Sequence, residues 1–206
     1  MTWQPVETVL RWVCGVITVV SMSVAVFRVV SNLQRANRRM AGKPITKLHN
    51  PWYYILSSLL FAVLLVLLWK PVPIILPSGW MIALDIIGSI LLLAGLAGYQ
   101  WGHITLGKMF TGSSSSDAPL FQDHNLITEG PYRISRHPMY FALQVATLGS
   151  LLLYRNWAVV FCFASFIFLF IRARREEEAL LLRYGGKWKE YAGRVPFWFP
   201  RLHSIQ

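Results

Sequence analysis

Five long apolar segments separated by short polar stretches dominate the pattern of the chain. Their bounds are Val9–Val30, Trp52–Trp69, Trp80–Trp101, Pro138–Tyr154 and Trp157–Arg172. The first three have about the 20 residues that an α-helix needs to cross the hydrocarbon core of a bilayer. The last two are slightly shorter, and the polar break between them is so brief that they must form an antiparallel hairpin. The pattern predicts an all-α integral membrane protein with five transmembrane helices and a C-terminal helical hairpin.

Composition supports a membrane protein built as one domain. The chain has 206 residues, of which 55% are apolar and 14% are charged, whereas about a quarter of the residues in a soluble domain are charged. We expect residues 1–206 to form a single membrane-embedded domain. Its first part, 1–101, holds three transmembrane helices, and 102–206 holds the functional loops and the hairpin.

The positive charge of the chain predicts its orientation. The formal net charge is +11, which would suit nucleic acid, but many basic residues lie in or beside one short loop without acidic residues: Arg28, Arg35, Arg38, Arg39, Lys43 and Lys47. Loops rich in lysine and arginine stay in the cytoplasm. Alternation then places the N-terminus outside and both 102–137 and the tail after Arg172 in the cytoplasm. We therefore expect the bilayer as partner, and no nucleic acid.

For three residues inside the apolar segments we favour a structural role over a catalytic or metal-binding one. Cys14 and Cys162 are expected to be buried packing residues, and no metal-ligand spacing accompanies them. Asp85 lies in the third segment, where a carboxylate is costly unless it has a partner. Such a carboxylate is a functional candidate by default, but Asp85 lies away from the predicted cytoplasmic site, and we favour hydrogen bonding between helices for it.

A polar segment, His124–Tyr140 (HNLITEGPYRISRHPMY), comes directly before the fourth apolar segment. Proline suits the first turn of a helix, so Pro138 predicts a helix start at the membrane surface with His137 in the N-cap region. The first N–H groups of that helix and the Arg136 guanidinium favour a carboxylate or a phosphate. Tyr140 is within reach of the same ligand. An interfacial anchor that binds no ligand explains these residues equally well on spacing alone.

A mixed-charge run, RARREEE, begins at Arg172 as the fifth apolar segment ends. Arg172 and Glu176 are four residues apart and share a helix face, and Glu177 is the neighbouring position. Such runs are usually solvated helix ends with internal ion pairs. The glutamates would also suit a cationic group such as an ammonium. Because both polar segments are predicted on the cytoplasmic face, we expect one pocket there for an amino-acid zwitterion.

Together with KEYAGRVP at Lys189–Pro196, the two segments resemble the isoprenylcysteine carboxyl methyltransferase family. The related phospholipid N-methyltransferases share the RHPxY and EE elements. The resemblance covers roughly Leu106 to Pro200, whereas the first two helices match only in hydrophobicity. It implies a methyltransferase that uses S-adenosyl-L-methionine, held in a pocket capped by the C-terminal segments.

The resemblance also implies roles for individual residues. The residues that it places around the cofactor are His124, Leu126, Arg136, His137, Tyr140, Glu176 and Glu177. One of the two glutamates would hold the methionine ammonium, and Arg172 would anchor a carboxylate of the cofactor or of the acceptor. The catalytic candidates are Arg172, Arg136 and Tyr140. The candidates for contact with the acceptor are Tyr99, His103 and Arg194.

The acceptor implied by the resemblance is lipophilic and enters from the bilayer, as a prenylated cysteine would. Its carboxylate is already nucleophilic and needs no base. A phospholipid or small-amine acceptor would need one, and His103, His124 or a glutamate could serve. An NADPH-dependent sterol reductase shares an RH-x-x-Y element, but Glu176–Glu178 has the wrong charge for phosphates. A non-enzymatic membrane scaffold would explain the hydrophobicity and not the two polar segments.

Overall fold

A computed structural model describes residues 3–39, 51–74, 76–107 and 125–199, and every named element among them is a helix. The order is α1 (Gln4–Arg39), α2 (Pro51–Leu67), α3 (Ser78–Leu106), a short 3₁₀ helix (Gly130–Arg133), α4 (Pro138–Tyr154), α5 (Trp157–Ala164), α6 (Phe166–Tyr184) and α7 (Gly186–Arg194). The all-α prediction is confirmed for these residues.

Within the described ranges, three helices are long and apolar enough to cross a membrane by length and composition: Gln4–Arg28, Ser78–Leu106 and Trp157–Tyr184. Leu56–Leu67 and Pro138–Tyr154 are apolar but shorter. The fifth predicted segment is divided at Ser165, whose hydroxyl donates to the carbonyl of Phe161 at 2.8 Å. The crossing by all five segments stays a prediction.

The closest helix packing joins α3 to α4 through glycines. A side chain at Gly88 would lie 2.8 Å from the carbonyl oxygen of Gly149, and one at Gly95 would fall on the backbone nitrogen of Ala146. A side chain at Gly149 would likewise fall on the backbone of Leu92. Small residues let the two backbones touch, which is the usual basis of helix association in lipid. Beside this contact lies a small core of Cys14, Leu92, Leu96, Ala146 and Leu153.

One end of the bundle holds a buried ion-pair network around Asp85, which is fully buried. Its carboxylate accepts from Arg155 Nη1 at 2.8 Å and from Trp3 Nε1 at 3.0 Å. Arg155 also contacts Glu7 at 3.2 Å, and Glu7 pairs with Arg11 at 2.6 Å. The network links α1, α3 and the turn after α4, so the structure gives Asp85 the interhelical bonding that the sequence predicted.

The turn between α4 and α5 lies at this same end. Arg155 has left-handed backbone angles and ends α4, while the Asn156 side chain accepts from Val159 N at 2.9 Å and starts α5. The loop after α2 joins the turn, since Trp157 N donates to the carbonyl of Lys70 at 3.0 Å. The predicted hairpin is therefore present, and the start of α4 is directed to the opposite end of the bundle.

Replacing Gly149 with alanine should separate α3 from α4. Its methyl group would meet backbone rather than a movable side chain, and overpacking of this kind costs about 1–3 kcal/mol. Unfolding in mixed micelles with increasing dodecyl sulfate measures the loss. Gly79→Ala on the same α3 is the control, because that position has open space. Equal stability of the two variants would contradict the tight backbone contact.

Replacing Asp85 with asparagine should destabilise the fold by about 3 kcal/mol, because it leaves part of a buried charge on Arg155 without its partner. The same unfolding assay applies. The matched control is Glu190→Gln, which breaks an exposed pair with Arg194 and should cost less than about 1 kcal/mol. A loss at Asp85 as small as that control would show that the network does not stabilise the bundle.

Candidate active site

The start of α4 is fixed by the segment just before it. Pro138 occupies the first turn and His137 caps the helix, as predicted, with Phe141 N donating to the His137 carbonyl at 3.1 Å. Ser135 is almost fully buried; its hydroxyl accepts from His137 N at 3.3 Å and donates to the carbonyl of Trp198 at 2.9 Å. The helix N-terminus is thus held against the C-terminal segment, defined here as residues 195–199.

Antiparallel packing in the hairpin brings α6 alongside the start of α4. The Tyr140 hydroxyl donates to Glu176 Oε1 at 2.6 Å, and Arg172 Nε contacts the same oxygen at 3.1 Å. The i,i+4 pair predicted from spacing is therefore formed. Tyr140 adds a contact between helices that spacing within α6 does not predict.

Glu177 is the second meeting point of the two helices. Arg136 Nη1 lies 3.0 Å from Glu177 Oε1, and His137 Nε2 lies 3.3 Å from the same atom. The side chains of Arg136 and Glu177 are 14% and 21% exposed, so water screens their attraction only in part. The two polar segments singled out in the sequence therefore form one cluster, which we call the carboxylate cluster: Arg136, His137, Tyr140, Arg172, Glu176 and Glu177.

Aromatic side chains cover the carboxylate cluster. The His137 ring stacks on Tyr140 at 5.7 Å with an interplanar angle of 6°, and Phe197 packs edge-on against His137 at 5.0 Å. The Arg136 guanidinium lies 5.5 Å from the Phe197 ring and 5.9 Å from the Trp188 ring. Such contacts favour a cation in a partly dry site. The cluster thus combines fixed charges with a wall that limits access of water.

The C-terminal segment is tied down over the cluster by hydrogen bonds. Arg136 N donates to the carbonyl of Pro196 at 2.9 Å. The indole N–H of Trp198 donates to Gln144 on α4 at 2.6 Å. Both bonds join residues far apart in the chain, so the segment belongs to the site as a structural part.

Tyr132 and Tyr191 belong to the site. Sequence reasoning assigned Tyr132 no role, and the resemblance placed Tyr191 in the closing segment KEYAGRVP without a defined role. The Tyr191 hydroxyl donates to the Tyr132 carbonyl at 2.7 Å, which joins α7 to the 3₁₀ helix. Burial raises the pKa of both phenols, and the neighbouring Glu176 raises that of Tyr132 further. Both therefore stay neutral donors at physiological pH. The available signals were the tyrosine in GPYR and the one in KEYAGRVP.

The remaining predicted residues occupy different places. His124 lies outside the described residues, and Leu126 is half-buried in the stretch before the 3₁₀ helix. His103 is buried near the end of α3, with its ring edge-on to Tyr99 at 5.8 Å. Arg194 pairs with Glu190 at 3.1 Å on the exposed side of α7, so its described contact lies away from the carboxylate cluster.

The cluster offers a defined chemistry. It contains two carboxylates, two guanidinium groups and a helix N-terminus, and this set suits a ligand with both charges. Within the described ranges, no group of three or more histidine, cysteine, aspartate or glutamate side chains could hold a metal ion. Cys14 and Cys162 are free thiols.

Comparison with known proteins identifies a matching family. Residues 86–182 match the model of the isoprenylcysteine carboxyl methyltransferase (ICMT) family. The match runs from α3 to α6 and contains the carboxylate cluster, while α1 and α2 lie outside it. The resemblance stated from the motifs is confirmed.

Some curated relatives are named as O-methyltransferases and others as metal-resistance proteins. The chain is 33% identical to protein-S-isoprenylcysteine O-methyltransferase B of Arabidopsis thaliana, over 47% of this chain and 49% of that protein. It is 28% identical to protein-S-isoprenylcysteine O-methyltransferase of Xenopus laevis, over 60% and 43%. It is also 29% identical to the cobalt-zinc-cadmium resistance protein CzcN of Cupriavidus metallidurans, over 56% and 52%. The chain spans about half the length of these relatives.

Replacing Tyr191 with phenylalanine should loosen the C-terminal segment. The Tyr132 carbonyl would lose its buried donor, which costs about 1–2 kcal/mol, so amide exchange in 186–199 should speed up about 5- to 30-fold. Mass spectrometry of deuterium uptake measures this. Tyr154→Phe removes a similar bond, to the Arg11 carbonyl at 2.8 Å, at the opposite end and should leave exchange in 186–199 unchanged. If both variants behave alike, Tyr191 does not hold this segment.

Proposed function

We propose that this chain is a member of the isoprenylcysteine carboxyl methyltransferase family, and that it is an integral membrane enzyme that transfers a methyl group from S-adenosyl-L-methionine to a lipophilic carboxylate. The names of the relatives in Arabidopsis and Xenopus support an oxygen acceptor over a phospholipid or amine nitrogen. The carboxylate cluster is the proposed site of the methyl donor.

One observation carries the proposal: a hydrogen-bond donor and a hydrogen-bond acceptor of the cluster each have no partner among the described residues. Arg136 Nε is buried and has no acceptor among the described residues. Both contacts of Glu177 within the described chain fall on Oε1, which leaves Oε2 to accept hydrogen bonds. Buried polar groups normally find partners. A ligand with a carboxylate and an ammonium would satisfy both atoms, and the methionine end of the donor has that form.

The residues present fit such a group. Glu177, with Glu176 beside it, would hold the ammonium; Arg136 and the first N–H groups of α4 would hold the carboxylate. Tyr140 and His137 orient the two glutamates through the hydrogen bonds described above. Leu126 and His124 are the further residues proposed to line the pocket. When bound, the donor supplies an electrophilic methyl group on a sulfonium.

The chain contributes positioning and exclusion of water. A carboxylate acceptor is an anion at neutral pH, so no residue has to remove a proton from it. Holding both reactants in line lowers the barrier by about 7–11 kcal/mol at most. Phe197 and Trp198 pack against the rings of His137 and Tyr140, which would help to keep water away from an acceptor anion. Arg172 adds positive charge at the site, and Arg136 and Tyr140 complete the proposed catalytic set.

The length of α4 bears on where the site lies relative to the membrane, and so on whether a lipophilic acceptor could enter from the bilayer. α4 has 17 residues and is therefore about 25 Å long, shorter than the roughly 30 Å of hydrocarbon. With the Arg155 turn near one membrane boundary, we propose that the start of α4 lies just inside the opposite one. We propose five crossings, with that boundary on the cytoplasmic side, because α1 begins at the Asp85 network and ends at the other end of the bundle in a run rich in arginine.

Replacing Glu177 with glutamine should weaken binding of S-adenosylmethionine by about tenfold, since a bond to an ammonium is worth about 1.5–3 kcal/mol. Isothermal titration of the purified protein measures it, and labelled-methyl transfer to a prenylcysteine analogue reports activity. The unfolding midpoint without donor should change little.

Glu178→Gln is the matched control, because it removes the same charge at an exposed neighbouring position. Wild-type protein that neither binds S-adenosylmethionine nor is stabilised by it would end the proposal. Equal binding by both variants would remove Glu177 from the donor site while leaving the activity to be judged by the transfer assay.

A further inference from the structure

Arg28 lies on α1, outside the part of the chain that matches the family, and its positive charge contacts α3. It is the last residue of the apolar stretch Gln4–Arg28 in α1, and its Nη1 lies 3.4 Å from Gln100 Oε1 on α3. The sequence pattern grouped it with the basic loop. A charged side chain in such a helix is costly and by default suggests function.

Ser21 orients the side-chain amide of Gln100 and so decides which atom of that amide faces Arg28. The Gln100 amide nitrogen donates to the Ser21 carbonyl at 2.7 Å and to its hydroxyl at 2.8 Å. Only the amide oxygen is then left to accept from Arg28. A neutral acceptor at 3.4 Å is a weak partner for a guanidinium.

No carboxylate pairs with Arg28 within the described residues, although every arginine in the network at the other end of the bundle has one. A half-buried cation that lacks an anion is stabilised strongly by an anionic ligand, because little water competes for it. Its fork of N–H groups matches a carboxylate. The environment of Arg28 therefore suits an acidic group brought by a ligand.

The last turns of α3 connect Arg28 with the carboxylate cluster. Gln100, which Arg28 contacts, lies two residues before Gly102, and Gly102 packs against Met139 in the first turn of α4. Met139 is the neighbour of Tyr140 in the chain. The Arg28–Gln100 contact is therefore at the same end of α3 as the proposed donor site.

We propose that Arg28 binds the acidic group of the acceptor, with Gln100 holding the guanidinium in place. The acceptor class is a lipid-soluble carboxylate whose apolar part lies along α1. Val26 and Phe27 provide an exposed apolar surface there. This inference rests on the proposed function. Arg28 is a specificity-determining residue, and it selects an acid over its neutral analogue.

The test compares N-acetyl-S-farnesylcysteine with its carboxamide, which has the same shape and no charge. Binding is measured by competition with a fluorescent farnesylcysteine in phosphatidylcholine nanodiscs. The wild type should prefer the acid by about tenfold or more, the value of a hydrogen-bonded charge. Arg28→Gln should lose this preference and keep its affinity for the carboxamide, while Arg28→Lys should keep part of it.

Two further variants separate specificity from folding. Gln100→Glu supplies Arg28 with an internal carboxylate and should abolish the preference although Arg28 is intact. Arg175→Gln removes one exposed arginine from α6 and should behave as wild type. Donor binding should be unchanged in all variants.

Each outcome either supports or contradicts the binding of the acceptor acid by Arg28. If wild type binds acid and carboxamide equally, or if Arg28→Gln keeps the preference, Arg28 is not the acceptor residue, whatever the transfer assay gives. If wild type lacks methyl transfer but keeps an Arg28-dependent preference for the acid, the proposed function fails and the acid site stands. Loss of the preference when phosphatidylglycerol is added would show a lipid-headgroup site and overturn the proposal.

Discussion

The direct contact of the α3 and α4 backbones at Gly88, Gly95 and Gly149 is the constraint on which the arrangement of the molecule depends. Helices this close cannot slide past one another without steric overlap, because ridges of backbone fill the space that side chains would occupy. The axial register of α4 is therefore fixed. Its N-terminus reaches the level of the last turns of α3, where Gly102 packs against Met139. The hairpin then brings α6 to the same level.

The two ends of the bundle differ in how completely their charged side chains are paired. At the Asp85 end, carboxylates and guanidinium groups are paired inside the protein, and the Arg155 turn is held in place by them. At the other end, Arg136 retains a buried donor without an acceptor among the described residues, and the described partner of Arg28 is the neutral amide of Gln100. A closed network stabilises structure, whereas charges left partly unsatisfied are available to a ligand.

Local chemistry decided how much of the fold and the site could be predicted. Pro138 and the Arg155-Asn156 break define α4 as predicted, because each acts on its own neighbours. The division at Ser165 was missed, since one serine in an apolar run does not interrupt the pattern. Arg136 and Glu177 could be placed on one face from topology. The capping by the C-terminal segment came from the family resemblance alone. The Tyr132–Tyr191 and Ser135–Trp198 bonds could not be predicted, because they join residues about sixty positions apart and depend on tertiary packing.

The arrangement of walls around the site bears on where each reactant enters. Among the described residues, the C-terminal segment closes the cluster through backbone bonds to Arg136 and Ser135, and aromatic rings fill the gaps. The side toward α1 is built differently, with a cation and polar groups bordered by lipid-facing apolar residues. A water-soluble donor bound at the cluster, as proposed, would approach from the side of this C-terminal segment. A lipophilic acid can arrive along the side toward α1 without exposing the cluster to water. Separate routes of this kind would fit the proposal that Arg136, just before α4, and Arg28 on α1 bind two different carboxylates.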